Sequence, residues 1–487
     1  MKTLFLASST LALLAGPAAA LTGAELWADW QETMSSLGAE LTAEEETQDG
    51  DRLVLTGVTA TQSVGGDGEV ATRYGDVTLI DQGDGSVRIE APSEMRFSQE
   101  VVVEGETLTM EGVMRYEGLD AVVRDEGGVR VYDMSADTVG YEFEDLSSGQ
   151  EATPVSMNFT VTDMESTTRI DEARYEGTIG GSLSIEASQP SATDAFSFSY
   201  ALADMEGEIA GTIPEIDFTQ DVPNMAEWGL EYDMSFSHSG SSSSLSATTP
   251  DGPLQWDSTS ASGGLTATLT PQGLSYGMSS TETAATIVPP GMPLPVNASI
   301  AETAARVVFP LAPNEDGSPS DFVYETSLRD LAIDDALWSL FDPTGQLPRD
   351  PASLTIDVTG TLDVLYNMLA LERSTTSSEP PFFPETLDIN EVMLSVAGAE
   401  LRANGAMSFE VYGVGTPIPD GQVTVELDGA YGLLDKLVAL GFVPPGQVAI
   451  ARGMAGAVAQ QVGDDQLRSE LAFGPNGITA NGLPLPF

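Results

Sequence analysis

One histidine, no cysteine and 75 acidic side chains bound the chemistry open to this chain. The histidine, His238, stands in Phe236-Ser237-His238-Ser239, which puts hydroxyls beside a base in sequence. An extended backbone sends neighbouring side chains to opposite faces, so that spacing aims neither serine at the ring. Zinc prefers nitrogen and sulfur ligands, which this composition lacks. Calcium takes oxygen, and Asn314, Asp316, Ser318 and Glu325 fall at the offsets of a twelve-residue calcium loop. The sixth position of such a loop needs glycine, and here it is Pro319. These four residues are the metal candidates of the chain, and the plainer reading of the same stretch is an acidic Gly/Pro-rich surface loop. Paired carboxylates for glycoside hydrolysis carry no information, because with so many acids almost any spacing recurs by chance. Gly65, Gly66 and Gly68 precede no helical pattern, so they read as a turn and not as a phosphate loop. No catalytic residue and no cofactor site is expected, and a hydrolase is the disfavoured alternative.

The charge balance is 18 basic against 75 acidic residues, formally −57 over 487 residues. Such a chain repels nucleic acid and anionic head groups at long range, and it repels itself. Salt screens that repulsion, with a Debye length of about 10 Å at 0.1 M. Solubility in a salty environment is the plain reading, and a surface for divalent cations or a basic partner is the sharper one. Hydrophobic residues make up 41% of the chain, enough for a sizeable core. Without cysteines, packing alone must hold it.

The elements that must position any site begin after a leader. Lys2, an apolar run from Leu4 to Leu14 and then Ala18-Ala19-Ala20 match a cleavable export signal, 1–20, cut after Ala20. The protein is therefore expected in the periplasm or outside the cell. No later stretch approaches about 18 consecutive apolar residues, so no spanning helix is expected in the mature chain. Leu21–Leu37 reads as a helix. Thr22 and Glu25 form its capping box, Leu26, Trp30, Met34 and Leu37 its apolar stripe, and Gly38 its end. Glu40–Asp51 reads as an acidic loop.

From Arg52 to Ile287 the period is two. Leu108, Met110, Met114 and Tyr116 share one parity. Val139, Tyr141 and Phe143 alternate with polar or small residues. So do Val155, Met157, Phe159 and Val161, then Leu183, Ile185 and Ala187, then Phe196, Phe198, Tyr200 and Leu202. Alternation of this kind marks antiparallel strands with one apolar and one wet face. Gly-rich turns at 65–68, 82–85 and 126–128 recur at the spacing of a long meander, sandwich or barrel. Ser235–Ser246 is serine-rich. Val288–Pro295 is proline-rich, interrupts pairing and is taken as the boundary between an antiparallel β domain, 21–287, and a β-rich α+β domain, 296–487.

In the second domain, strands resume at Ala304–Phe309. A short helix at Asp334–Phe341 precedes the strand that starts with Leu354, Ile356 and Val358. Glu379–Pro384 is a further proline-rich connection. Leu387–Val396 and Glu400–Phe409 read as a hairpin. Val423, Val425 and Leu427 form a strand, Tyr431–Leu440 and Gly446–Gln461 two helices, and Leu467–Phe473 and Gly477–Asn481 closing strands. The expected fold class is thus mainly β, a long antiparallel meander or curved sheet or sandwich, with an N-terminal helix and an α+β C-terminal part. An outer-membrane barrel is argued against by the two C-terminal helices and by Pro484 and Pro486 in the last strand.

The stretches LTGAELWADWQ and LVLTGV near the start, with LLDKLVALGFVPPGQ and ITANGLPLP near the end, resemble a bacterial exported family catalogued as domain of unknown function twenty-one twenty-five. The fold also resembles, at the level of analogy, long-sheet envelope proteins that shield lipid. The resemblance implies no catalytic residues. The leading expectation is a non-enzymatic periplasmic or envelope protein that binds lipid or another apolar partner, such as an envelope protein, on its sheet. A calcium-stabilised scaffold or adhesion module is the alternative.

Overall fold

A computed structural model describes residues 21–63, 69–103, 106–147, 155–171, 173–190, 195–212, 229–292, 294–370, 380–410 and 417–485, with backbone alone at 63, 69, 97–103, 106–110 and 144–147. The expected export signal and the 65–68 turn lie outside the described residues, as do the side chains of Leu108 and Met110. The chain is mainly β and its strand pairs are antiparallel. It divides into two compact units, Met1–Asp257 with Pro289–Gly291, and Ser258–Val288 with Met292–Phe487.

The first unit opens with the expected helix, Gly23–Ser36. Both bonds of the Thr22/Glu25 capping box are made, satisfying backbone N–H groups that a helix start leaves orphaned. Its stripe packs on the sheet: Leu26, Trp27 and Trp30 are buried with Leu41, Leu53, Leu55, Leu79, Val87 and Val123. Each indole donates from Nε1, Trp27 to Glu46 at 2.9 Å and Trp30 to the Tyr132 hydroxyl at 3.4 Å. Beneath the helix, Arg130 forms ion pairs with Asp29, at 2.8 Å, and with Asp125, all three side chains nearly buried.

The strands of this unit run as a meander. Arg52–Ser63, Glu69–Asp81, Glu94–Val103, Glu106–Glu117, Arg130–Ser147, Ser156–Asp171, Arg174–Gln189 and Phe196–Thr212 each pair with the next. The last pairs with Tyr232–His238 and Gly240–Thr249, so the serine-rich segment is strand. The expected acidic loop at Glu40–Asp51 is corrected: Ala39–Thr42 and Glu45–Asp49 are strands paired with Arg52–Ser63. Low β-propensity of Glu and Asp suggested a loop. An edge strand can be acidic, because its ladder bonds come from the backbone and its side chains point to water; only Leu41 of Ala39–Thr42 is buried.

The second unit is also a meander, through Ser262–Leu269, Gly273–Val288, Val296–Pro310, Ser320–Ile333, Ala352–Val364, Phe382–Val396, Ala399–Glu410, Ile418–Asp428 and Gln466–Gly474. The proline-rich Val288–Pro295 joins two strands that pair with each other, Ile287 opposite Val296. Pro384 sits inside a strand, opposite Leu362, beside a register shift, the kind of irregularity that tolerates a residue without an N–H. Helices span Asp335–Phe341, Ala430–Ala439 and Pro445–Val458. The last ends three residues before the expected Gln461, because Gln460–Gly463 pairs with Gln466–Gly474 instead.

Period two does not run unbroken along the long strands. Asp163, Asp204, Glu282 and Asp330 adopt left-handed backbone angles, φ +51°, +43°, +49° and +55°. Three of them sit at register shifts or beside them, and Glu282 drops out of its ladder between Thr281 and Thr283. At each one the apolar parity switches: Val161 to Met164, Leu202 to Met205, Met278 to Ala285, Leu328 to Leu331. A one-residue slip would turn every later side chain to the other face. At the three register shifts a bulge absorbs the extra residue and keeps the apolar set on one side, whereas at Glu282 pairing resumes in the same register, Thr281 opposite Glu302 and Thr283 opposite Ile300. Asp is among the few non-glycine residues that tolerate this conformation.

Candidate functional site

The four metal candidates do not converge. Asn314 Nδ2 donates to the Ser318 and Pro319 carbonyl oxygens, each at 3.0 Å, and the Ser318 N–H and hydroxyl donate to Asp316 Oδ1 at 3.0 and 2.7 Å. The Ser318 bonds hold the Asp316 carboxyl below the usual carboxylate range. Asn314, Asp316 and Ser318 thus share one self-bonded turn, while Glu325 lies on the Ser320–Ile333 strand and pairs with Arg306 at 3.5 Å. Among the described residues no three His, Cys, Asp or Glu side chains gather in a metal-holding group.

His238 ends the Tyr232–His238 strand, and its Nδ1 is buried with no hydrogen-bond partner among the described residues. The Ser239 hydroxyl donates to Asp204 at 2.7 Å rather than to the imidazole. A shallow open cleft of about 400 Å³ lies between Ser156, Ser188, Pro190, Phe196, Ser197 and Ser246. Among the described residues its walls are hydroxyl, amide and apolar groups, with no base to activate a serine.

The feature that spans each unit is its apolar face. Directly opposed residues of an antiparallel pair share a face, so the register shows how the separate alternating runs line up. In the first unit, Met114 opposes Tyr141 and Tyr116 opposes Val139. Phe143, Tyr141 and Val139 oppose Met157, Phe159 and Val161, which oppose Ala187, Ile185 and Leu183. These oppose Phe198, Tyr200 and Leu202, and Phe198 opposes Leu245. Runs read independently along the chain therefore form one uninterrupted apolar stripe. Phe143 and Phe159 meet on it edge to face at 5.8 Å. Burial raises the Tyr116, Tyr141 and Tyr200 hydroxyls above the ordinary phenol value, as a low-dielectric surface does.

The second unit repeats the arrangement. Leu274, Tyr276 and Met278 oppose Phe309, Val307 and Ala305, and Val307 opposes Tyr324, which opposes Val358. Ile356 and Leu354 oppose Val392 and Leu394. Leu394 opposes Leu401, Leu401 opposes Leu427, and Leu427 opposes Leu467. The reverse face carries the charges, with Arg329–Glu302 at 3.0 Å and Arg468–Glu426 at 3.4 Å.

Two observations define what this second face can do. Phe309 and Phe382 meet edge to face at 5.4 Å although two strands separate theirs. Three strand spacings of about 4.8 Å would hold them much further apart on a flat sheet, so the sheet bends toward its apolar side there. The face is also not closed: Met278 is 46% exposed, Tyr324 41% and Leu394 40%. Facing sheets of a sandwich would bury such positions almost completely. The period-two pattern gave most of the first face and part of the second, Ile356, Val358 and Leu427 among them; Tyr324 lies on the Ser320–Ile333 strand, which that reading did not include, and the bend and the openness carry no local sequence signal.

No described helix is long and apolar enough to cross a membrane. No curated protein and no solved structure matches the chain. A family described as "Uncharacterized protein conserved in bacteria (DUF2125)" matches residues 182–485. That match takes in LLDKLVALGFVPPGQ and most of ITANGLPLP, while the two N-terminal stretches precede it. With well over half of its length matched, the chain belongs to this bacterial family of unknown function.

Proposed function

We propose that this is an exported, non-enzymatic envelope protein whose apolar sheet faces hold the acyl chains of lipid. The observation that carries the reading is the register: in each unit the apolar positions of successive strands align into one stripe, and in the second unit large members of it are left two-fifths exposed. A contiguous exposed apolar surface of this extent is unfavourable in water and is the usual mark of an apolar ligand or partner. Acyl chains suit it because the stripe is long and offers few polar groups to fix a compact polar ligand. The −57 charge keeps such a protein soluble while its apolar side is occupied.

The test is native mass spectrometry of the full mature protein recovered from its own bacterial host without detergent. The expected spectrum shows adducts that release phospholipid or fatty acid on activation. Bare polypeptide mass alone would sink the reading. Glutamate at both Met278 and Tyr324 should reduce the adducts at least several-fold without unfolding the chain, since both side chains already reach solvent.

A further inference from the structure

Residues 429–463 carry more cations than carboxylates. They contain one carboxylate, Asp435, and two cations, Lys436 and Arg452, in a chain of 75 acidic and 18 basic residues. Asp435 and Arg452 neutralise each other at 2.7 Å. Arg452 also donates to the Tyr431 carbonyl and stacks 4.9 Å from the Tyr431 ring, its side chain 38% exposed. Lys436 pairs with no carboxylate among the described residues and is the one lysine after Lys2. The Pro445–Val458 helix itself carries no carboxylate, and its one cation, Arg452, is paired. On it Ile450 and Met454, one turn apart, are 65% and 66% exposed, and Phe442 in the connection before it is 53% exposed.

From these observations we infer that the Pro445–Val458 helix docks on a lipid bilayer, with Ile450, Met454 and Phe442 entering the boundary between head groups and acyl chains. A helix lying in that boundary buries apolar side chains and must bring no carboxylate into it. The Pro445–Val458 helix meets the second condition, and Lys436 on the preceding helix is complementary to head-group phosphate. A second copy of the chain is a poor occupant, because pairing two bodies of charge −57 opposes association. The inference does not depend on lipid in the sheet faces, since docking uses the helices alone.

The test is flotation of the full mature chain with phosphatidylethanolamine/phosphatidylglycerol vesicles at low and high NaCl. Wild type should float, more strongly at high salt, because salt screens the repulsion of the acidic remainder more than it weakens apolar insertion. The double variant Ile450→Glu, Met454→Glu should lose at least tenfold in bound fraction with an unchanged melting curve. Glutamate at Met278 and Tyr324 on the sheet should leave flotation unchanged while it removes lipid adducts, which separates this inference from the one above. Absence of wild-type flotation at both salts would overturn docking. So would equal flotation of the helix variant, or a wild-type dimer that the helix variant converts to monomer without any vesicle binding.

Discussion

The Asp465 carboxylate accepts a hydrogen bond from the backbone N–H of Gly432 at 2.7 Å, and a second from Tyr431 at 2.8 Å, across 33 and 34 residues of sequence. The Ala430–Ala439 helix starts at Gly429, which has no side chain to cap it. Its orphaned donors are satisfied from a turn between two later strands. Asp81 does the same for the N-terminal helix, accepting from Gly23 N–H at 2.6 Å across 58 residues. In both places a carboxylate from the sheet also meets the positive end of the helix dipole.

Asp465→Ala should therefore loosen the helical pair relative to the sheet. Loss of a capping side chain costs about 1 kcal/mol. Hydrogen exchange should quicken at the amides of Tyr431 and Gly432 and remain unchanged at the N-terminal helix. Equal protection in both proteins would show that the cap is dispensable.

Arg130 holds two nearly buried carboxylates, so Arg130→Met leaves Asp29 and Asp125 without their cation. Breaking a buried pair by removing one partner costs about 3–5 kcal/mol. Burial already raises the Asp29 carboxyl above its usual value, against the opposing pull of Arg130. A carboxyl raised in the folded state favours folding when protonated and disfavours it once pH rises through that value. The deficit of the variant, read from urea unfolding, should shrink as pH is lowered toward about 4.

Asp334 shows the opposite sign. The Leu337 N–H, followed by the Asn297 side chain and backbone, holds its carboxyl below the usual range. The stability it adds is complete above the ordinary value of about 4 and is lost as pH falls through the lowered one. The difference in urea midpoint between wild type and Asp334→Asn should be constant from pH 7 to about 5 and then narrow. A difference that widens in acid would contradict the assignment of this cap.

Glu282 occupies a left-handed backbone position without the short side chain that lets Asp tolerate one. Glu282→Gly should stabilise the second unit relative to Glu282→Gln by up to about 1 kcal/mol, the conformational relief being partly offset by glycine's entropy. The glutamine variant removes the charge effect from the comparison. If the two melt together, the left-handed position is not strained.

The summed charge predicts that melting temperature rises by several degrees between low salt and about 1 M NaCl, where the Debye length falls to about 3 Å. Differential scanning calorimetry checks it. Sodium chloride and potassium chloride should act alike, because screening does not depend on cation identity.

How much of this protein could be read in advance follows from the range of each interaction. The capping box at Thr22 and Glu25, the apolar stripe through Leu26 and Trp30, and the alternation in runs such as Met157, Phe159 and Val161 are set by neighbours a few residues away. The amino-acid sequence alone therefore determined where most helices and strands lie, which side chains are apolar in each, and the acidic character of the whole. Glu45–Asp49 is missed for a reason other than range, since its hairpin with Arg52–Thr56 is local but its acids have low β-propensity. Tertiary structure decided that Asp163, Asp204 and Asp330 sit at or beside register shifts that keep the apolar parity on one face, and that Asp81 and Asp465 cap helices far from them in sequence. The bend that brings Phe309 to Phe382, and the openness that leaves Met278 and Tyr324 in solvent, belong to the same class. Backbone pairing and sheet curvature are set by strands tens of residues apart, and no local period encodes which strand will be the neighbour.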